Sequence, residues 1–422
     1  MKTALKTPFT FLLSLLMILV MTGSGGCEKE ETFKDNEPKP IALSSEQKAL
    51  VESGQGFTFD LLRRVAAEAG DDENVFLSPL SVSLALAMTY NGAAGTTREA
   101  MQQAMHLPGL PTGKINEAYQ KLMKDLLSVD PKVLLTIANS IWYDVGFQVQ
   151  IPFVDVNKKY YHAQVNSLDF KDAGAPDIIN KWVADNTNNL IQKIIDRIPD
   201  DAVMYLINAI YFKGEWKYAF DPDDTSPEPF WLAGGGSVEV DMMHQSEHFN
   251  YFSNSLFSAA ELPYGRGNYS MVVVLPHSHT GLPAVLEQLD DAFWHELPQK
   301  HFTRTELIVG LPKLRFGFEQ KLKSVLSDMG MGVAFVPGEA DFSGINPDAE
   351  LFINEVIHKA FVEVNEEGTE AAAVTAVEVG ITSVGPPQPI PFRADRPYLF
   401  FIRETTTNAV IFAGRVMQPV IE

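Results

Sequence analysis

Between residues 366 and 384 the chain reads Glu-Glu-Gly-Thr-Glu-Ala-Ala-Ala-Val-Thr-Ala-Val-Glu-Val-Gly-Ile-Thr-Ser-Val, a stretch built like a strand and punctuated like a loop. Every second residue from Thr369 (Thr369, Ala371, Ala373, Thr375, Val377, Val379, Ile381) is small or apolar. The interleaved set (Glu370, Ala372, Val374, Ala376, Glu378, Gly380) holds both charges. Side chains of a strand alternate faces with period two, so a sheet could bury one face of this segment cleanly. Yet Gly368 precedes it and Gly-Pro-Pro-Gln-Pro-Ile-Pro, residues 385–391, follows it. Proline offers no ladder donor, so that second stretch is expected to be extended and exposed. The fold must therefore house a segment able to be an exposed loop or an interior strand.

The rest is ordinary globular material, 422 residues of which 45% are hydrophobic and 21% charged, long enough for a large core. A formal charge of −21 argues against a nucleic-acid partner, whose phosphates need a basic patch. Lys2 and Lys6 precede an apolar run from Phe11 to Met21, broken only by Ser14, and small residues lead to the single cysteine, Cys27. Such a run is a secretory signal, too short for a membrane span. It resembles a bacterial lipoprotein signal, with Ser24 where that pattern usually has Leu. On this reading residues 1–26 are removed and Cys27 is lipidated. The product is then secreted across the inner membrane and held in the cell envelope, at the outer membrane and facing outward. Residues 27–44 are charged and contain proline, so they read as an acidic tether. Lys29-Glu30-Glu31 resembles a surface-export tag. No linker or internal repeat divides 45–422, which reads as one domain.

Along that domain, helical spacing runs over 45–68. Ser78-Pro79 opens a second helix that Asn91-Gly92 ends. Thr96-Thr97-Arg98-Glu99 has the form of a capping box. Strand patterns follow near 133–143, 203–213, 238–243, 257–263, 269–276 and 305–312. Helical stretches fall near 152–165, 176–196, 282–296 and 319–329. The end, 351–365 and 397–417, is almost all strand. Helices early and strands late make an α+β domain.

Catalytic signatures are missing from the sequence. There is no Gly-x-Ser-x-Gly, no phosphate-cradling Gly-rich Lys loop and no His-Glu-x-x-His. The pairs His244/His248 and His277/His279 have no cysteine or carboxylate set beside them, so no metal or other cofactor is expected. The chemistry points to binding, not turnover.

Several stretches, in order, resemble the serpin family: Asn74-Val75-Phe76-Leu77-Ser78-Pro79-Leu80-Ser81, Asn208-Ala209-Ile210-Tyr211-Phe212-Lys213-Gly214-Glu215-Trp216, Leu311-Pro312-Lys313-Leu314, Asp341-Phe342-Ser343-Gly344, His358-Lys359-Ala360 and Arg396-Pro397-Tyr398-Leu399-Phe400-Phe401-Ile402. The resemblance covers residue 45 to the end. It implies a fold of about nine helices and three β-sheets with an exposed reactive-centre loop at about 366–391, and a monomeric protease trap, not an enzyme. A protease cuts the loop, and the freed segment enters the main sheet as a new strand. The resemblance places the hinge at Glu366, Glu367, Gly368, Thr369, Glu370, Ala371, Ala372 and Ala373. It places the shutter at Ser78, Ser81, Asn208 and His358, and the breach at Trp216 and Glu366. The family count puts the cleaved bond between Thr382 and Ser383, with Val379, Ile381 and Val384 as alternatives.

Residue chemistry narrows the target. No Lys or Arg lies between Lys359 and Arg393, and no aromatic, Leu or Met between Val362 and Pro391. Small β-branched side chains suit the shallow pocket of elastase-like or subtilisin-like serine proteases. Ile381 would suit papain-like cysteine proteases, the second choice. The other alternative is a non-inhibitory serpin that acts as a binding protein.

Overall fold

The structure, a computed structural model, describes residues 37–369 and 388–421. The first helix, Ser45–Ala69, starts at a capping box in which Ser44 and Gln47 satisfy each other's backbone N–H groups. The second, Pro79–Tyr90, has Ser78 as its cap and is buried on nearly every face, so it runs through the interior. The third begins at Gly95, one residue before the expected box, and has no side-chain cap. Thr97 instead accepts the Asp341 backbone N–H at 2.8 Å. Helix Thr112–Ser128 was not read from the sequence. The helix expected to reach 196 stops at Asn186, because Asn188 and Asn189 take positive φ of 51° and 61°, which no helix continues.

Nine α-helices and three sheets make up the described residues, the mixed α+β architecture expected. The largest sheet follows the order Val75–Leu77, Val410–Val416, Tyr398–Glu404, Tyr269–Pro276, Phe257–Tyr264, Ser237–Ser253, Thr303–Pro312, Ile390–Arg393, with Ser226–Trp231 on a side branch. Its central strands Tyr269–Pro276, Tyr398–Glu404 and Val410–Val416 are buried at every position. Phe76 stacks between Phe400 and Phe412, with ring centroids 5.6 and 5.1 Å away. Ile390–Arg393 pairs in parallel with Leu307–Gly310, and Ala394 continues the attachment with an N–H bond to Gly310 at 2.8 Å.

Two further sheets position the site. One has four strands in the order Gly368–Thr369, Met204–Glu215, Val133–Asp144, Gln164–Leu168. The other is the antiparallel pair Leu314–Lys321 and Ile357–Val364, in register from Leu314↔Val364 to Lys321↔Ile357. Residues 319–321 were expected to start a helix; their pairing with Ile357–Lys359 holds them extended instead.

Candidate functional site

Strand Met204–Glu215 pairs with Val133–Asp144 along one edge, and with Gly368–Thr369 only at its last two residues along the other. Strand Ile357–Val364 pairs on one edge with Leu314–Lys321. Among the described residues the opposite edges of these two strands are otherwise unpaired, and they flank a gap. Its lower part is a cavity of about 730 Å³, lined by Leu206, Ile207 and Asn208 on one side and Ile357, His358 and Lys359 on the other. Its upper part narrows to about 20 Å³ between Ile210, Phe212, Phe361 and Thr369. Unpaired strand edges with room between them are a template for another strand.

At the upper end the chain already turns into that gap. Asn365 and Gly368 exchange backbone hydrogen bonds at 2.9 and 3.3 Å. Gly368 stands at φ 152°, and a Cβ there would lie 2.1 Å from the Gly214 carbonyl oxygen. Only glycine fits that approach. Thr369 follows, 5% exposed, its hydroxyl 2.8 Å from the buried Tyr264 hydroxyl. Burial pushes the Tyr264 phenol well above its ordinary range, so it stays neutral.

Trp216 holds the other side of this turn. Its backbone N–H donates to Glu367 O at 2.8 Å and its indole N–H to Asn365 O at 3.0 Å. Its ring stacks on Tyr264, with centroids 4.3 Å apart. The Glu366 backbone carbonyl accepts from Phe220 N–H at 2.9 Å. Its carboxylate takes the Thr225 hydroxyl at 2.9 Å and lies 3.1 Å from Lys313 Nζ through both oxygens. Burial raises the Glu366 pKa, but hydrogen bonds from its own backbone N–H, Lys313 and Thr225, with the Lys313 charge, outweigh it and hold the carboxyl below its usual range.

Lower down, Ser81, Asn208 and His358 line the large cavity, and Ser78 is buried behind His358. His358 Nε2 accepts the Ser78 backbone N–H at 3.1 Å, so the neutral ring carries its proton on Nδ1. Ser78 Oγ caps Ser81 N–H at 3.2 Å and donates to Ile411 O at 2.9 Å. Asn208 belongs to a separate set. Its amide nitrogen donates to Asn139 Oδ1 at 2.8 Å, while its own buried Oδ1 has no hydrogen-bond partner in the structure. The strand pairing of Asn139 with Asn208 explains this set, and nothing local in the sequence marked it.

The geometry thus brings together Glu366, Glu367, Gly368, Thr369 and Trp216 in one cluster, and Ser81, Asn208 and His358 around one cavity with Ser78 bonded to His358 behind it. Sequence reading missed Tyr264, Thr225, Asn365 and Asn139, and took Lys313 as part of a motif without a role. Each meets the site through a contact between distant stretches of chain. Glu370, Ala371, Ala372, Ala373, the Thr382–Ser383 bond, Val379, Ile381, Val384 and Cys27 lie outside the described residues. Among the described residues no group of three or more His, Cys, Asp or Glu side chains could hold a metal ion.

Burial pushes the His358 pKa down to about 4 from 6.5. Between those values the unfolded chain binds more protons than the folded one, so stability is expected to be full above pH 6.5 and to fall as pH drops toward 4. His358→Gln keeps an acceptor for Ser78 without a titrating group. It is expected to flatten the melting temperature between pH 7 and 4.5; a slope equal to that of the parent would remove His358 from this role.

A family model described as serpin (serine protease inhibitor) matches residues 52–419. An uncharacterized serpin-like protein of Methanosarcina acetivorans is 37% identical over 383 residues, 88% of this chain and 88% of its own. The leukocyte elastase inhibitor of Xenopus laevis is 36% identical over 374 residues, 86% of this chain and 97% of its own. Among solved structures, the thermophilic serpin tengpin in its native state matches with a TM-score of 0.81 at 31% identity, covering 90% of this chain and 97% of tengpin.

Proposed function

The chain belongs to the serpin family, and from that premise we propose that it is a suicide-type inhibitor of elastase-like or subtilisin-like serine proteases. Members of this family are in general protease inhibitors and not enzymes. The observation that carries the reading is the pairing of Gly368 and Thr369 with Glu215 and Gly214, above a gap with free strand edges on both sides. A strand has begun to form where the rest of a strand would fit.

In this proposal the protease serine attacks the Thr382 carbonyl. The Thr382–Ser383 amide breaks, Ser383 leaves as a free amine, and Thr382 becomes an ester of the protease. Val379, Ile381 and Val384 offer neighbouring bonds. Hinge residues from Glu370 through Ala373 then follow Thr369 into the gap; the small side chains of Ala371 and Ala373 pass between Ile210, Phe212 and Phe361 with little displacement, and Glu370 falls on the opposite face. The breach at Trp216 and Glu366 admits the strand. The shutter groups Ser81, Asn208 and His358 line its path, Ser78 holds His358 from behind, and the buried Asn208 Oδ1 stands ready to accept from a new neighbour. Strand Ile390–Arg393 keeps the far side of the loop attached.

The name of the leukocyte elastase inhibitor agrees with the elastase class read from the loop, and papain-like cysteine proteases remain the second target class. Our reading also keeps residues 1–26 as a signal, Cys27 as the lipidated residue of an envelope protein, 27–44 as tether and 45–422 as the inhibitor domain. Incubation with elastase followed by a denaturing gel tests the function. A stable adduct of protease and chain is the expected result. Cleavage without adduct would assign the chain to the non-inhibitory binding serpins.

A further inference from the structure

The described chain starts beside the hinge, on the same face. The position a Gly267 side chain would occupy is 3.8 Å from Pro38 Cδ and 3.5 Å from Lys217 Nζ. The Asn268 side-chain amide pairs with Lys39 in both directions, accepting its N–H at 2.8 Å and donating to its carbonyl at 2.7 Å. Ile41 N–H donates to Thr406 Oγ1 at 3.0 Å. The 264–268 turn that receives this segment also carries Tyr264, the hydrogen-bond partner of Thr369.

Cations collect here. Lys217 Nζ donates to the Arg266 carbonyl at 3.2 Å. Arg304 reaches the Tyr218 hydroxyl at 3.5 Å. The backbone N–H groups of Lys132 and Arg266 both bond the Asp130 carboxylate, at 3.0 and 2.8 Å. Partial burial first, and then Arg304, with a smaller contribution from Lys132, pushes the Lys217 pKa below its ordinary value, while Glu37 and Asp130 oppose them. Lys39, Lys132 and Arg304 are exposed, and Lys217 and Arg266 half-buried. Against these five cations stand Glu37, Glu215, Asp130 and Glu404, the last two of them buried. The balance is the reverse of the whole chain, which has 54 acidic and 33 basic residues.

We propose that this surface faces the membrane in the anchored molecule and binds the phosphates of anionic lipid headgroups. The proposal rests on the reading of Cys27 as the anchor. From Cys27 to Pro38 is eleven residues (38 − 27 = 11), which reach at most about 40 Å when extended. That leash lets the edge around Gly267 reach the lipid, and charge decides whether it settles there. Attraction of Lys and Arg to an anionic surface decays within about 8–10 Å at physiological salt, so only this edge feels it strongly. The acidic remainder, which gives the chain its net −21, is repelled and turns outward. The hinge, next to Trp216, is then presented toward the lipid, and an attacking protease is met at the membrane surface.

The test uses the chain from Cys27 onward, with the Cys27 thiol coupled chemically to a maleimide lipid, so the leash does not depend on cellular lipidation. A ketone-bearing residue at exposed position 303, beside Arg304, or at exposed position 348 carries a fluorescent donor. Position 348 neighbours Ala349 and Glu350 in the lower cavity wall, at the other end of the Met204–Glu215 strand. Energy transfer to headgroup-labelled lipid is measured. On phosphatidylcholine vesicles containing phosphatidylglycerol, transfer from 303 is expected to exceed that from 348 by roughly threefold or more. The ratio is expected to fall toward one in high salt, on pure phosphatidylcholine, and in the variant Lys217→Glu/Arg266→Glu/Arg304→Glu. The milder pair Lys132→Gln/Arg304→Gln, at two exposed positions, serves if the triple variant misfolds. Equal transfer from both positions on anionic vesicles, or a ratio that neither charge variant lowers, would overturn the proposal. Radiolabelled palmitate incorporation at Cys27 in cells tests the anchor separately, so a failed anchor and a failed surface give different results.

Discussion

Thr369→Arg is expected to convert the inhibitor into a substrate: elastase cuts the loop at close to the parental rate, and the gel-stable adduct falls by roughly tenfold or more. Thr369 is 5% exposed, with its hydroxyl on Tyr264. Any strand that continues from Gly368 into the gap must carry residue 369 into this pocket first. Arginine cannot shed its charge, and the pocket offers it a neutral phenol, the rings of Phe212 and Phe361, and one carboxylate, Glu363, that is already paired with Arg315. A buried charge without a partner costs on the order of 3–5 kcal/mol. The uncut molecule escapes that cost by releasing its two paired residues into solvent, so folding should survive. The cut molecule has no such escape, because its insertion stalls while the acyl-enzyme hydrolyses. Adduct yield per cleavage event, read by densitometry, decides the matter; an unchanged yield would mean that strand entry does not begin at Thr369.

The second large effect concerns heat. After cleavage the melting temperature is expected to rise by on the order of 10 °C or more, since some ten new backbone hydrogen bonds at about 1 kcal/mol each act against an unfolding entropy near 0.8 kcal/mol/K for a body of this length. The free edges of Met204–Glu215 and Ile357–Val364 supply the partners, and the 730 Å³ cavity supplies the space. Calorimetry of intact and elastase-cut protein measures the difference. Cut Thr369→Arg is expected to show little of the gain. Coincident transitions for the cut and uncut parent would leave the inserted strand without support.

How much of this was legible beforehand depended on the range of the interaction. The turn at 366–369 and the small-residue period after it were visible in the sequence because their requirements are local, and the structure adds that Gly368 passes against Gly214. Ser78 as a helix cap was local too. The 314–321 strand was less visible, because Glu319, Gln320 and Lys321 have helical propensity and only their register with Ile357–Lys359 holds them extended. The helix tail over 187–196 failed at Asn188 and Asn189, residue types that readily take left-handed backbone. Tyr264, Thr225 and the pairing of Lys313 with Glu366 could not be seen, since the partners are separated by up to 141 residues and meet through sheet topology alone.

The parallel seam between Ile390–Arg393 and Leu307–Gly310 has a consequence for how a spent molecule looks in solution. Everything downstream of the loop, including two wholly interior strands of the nine-stranded layer, stays woven into the body when the backbone is severed above it. A cut copy freed of protease therefore sheds no peptide and elutes at the size of an unused one. Its history is written in one extra amine, one extra carboxyl group and a higher melting temperature.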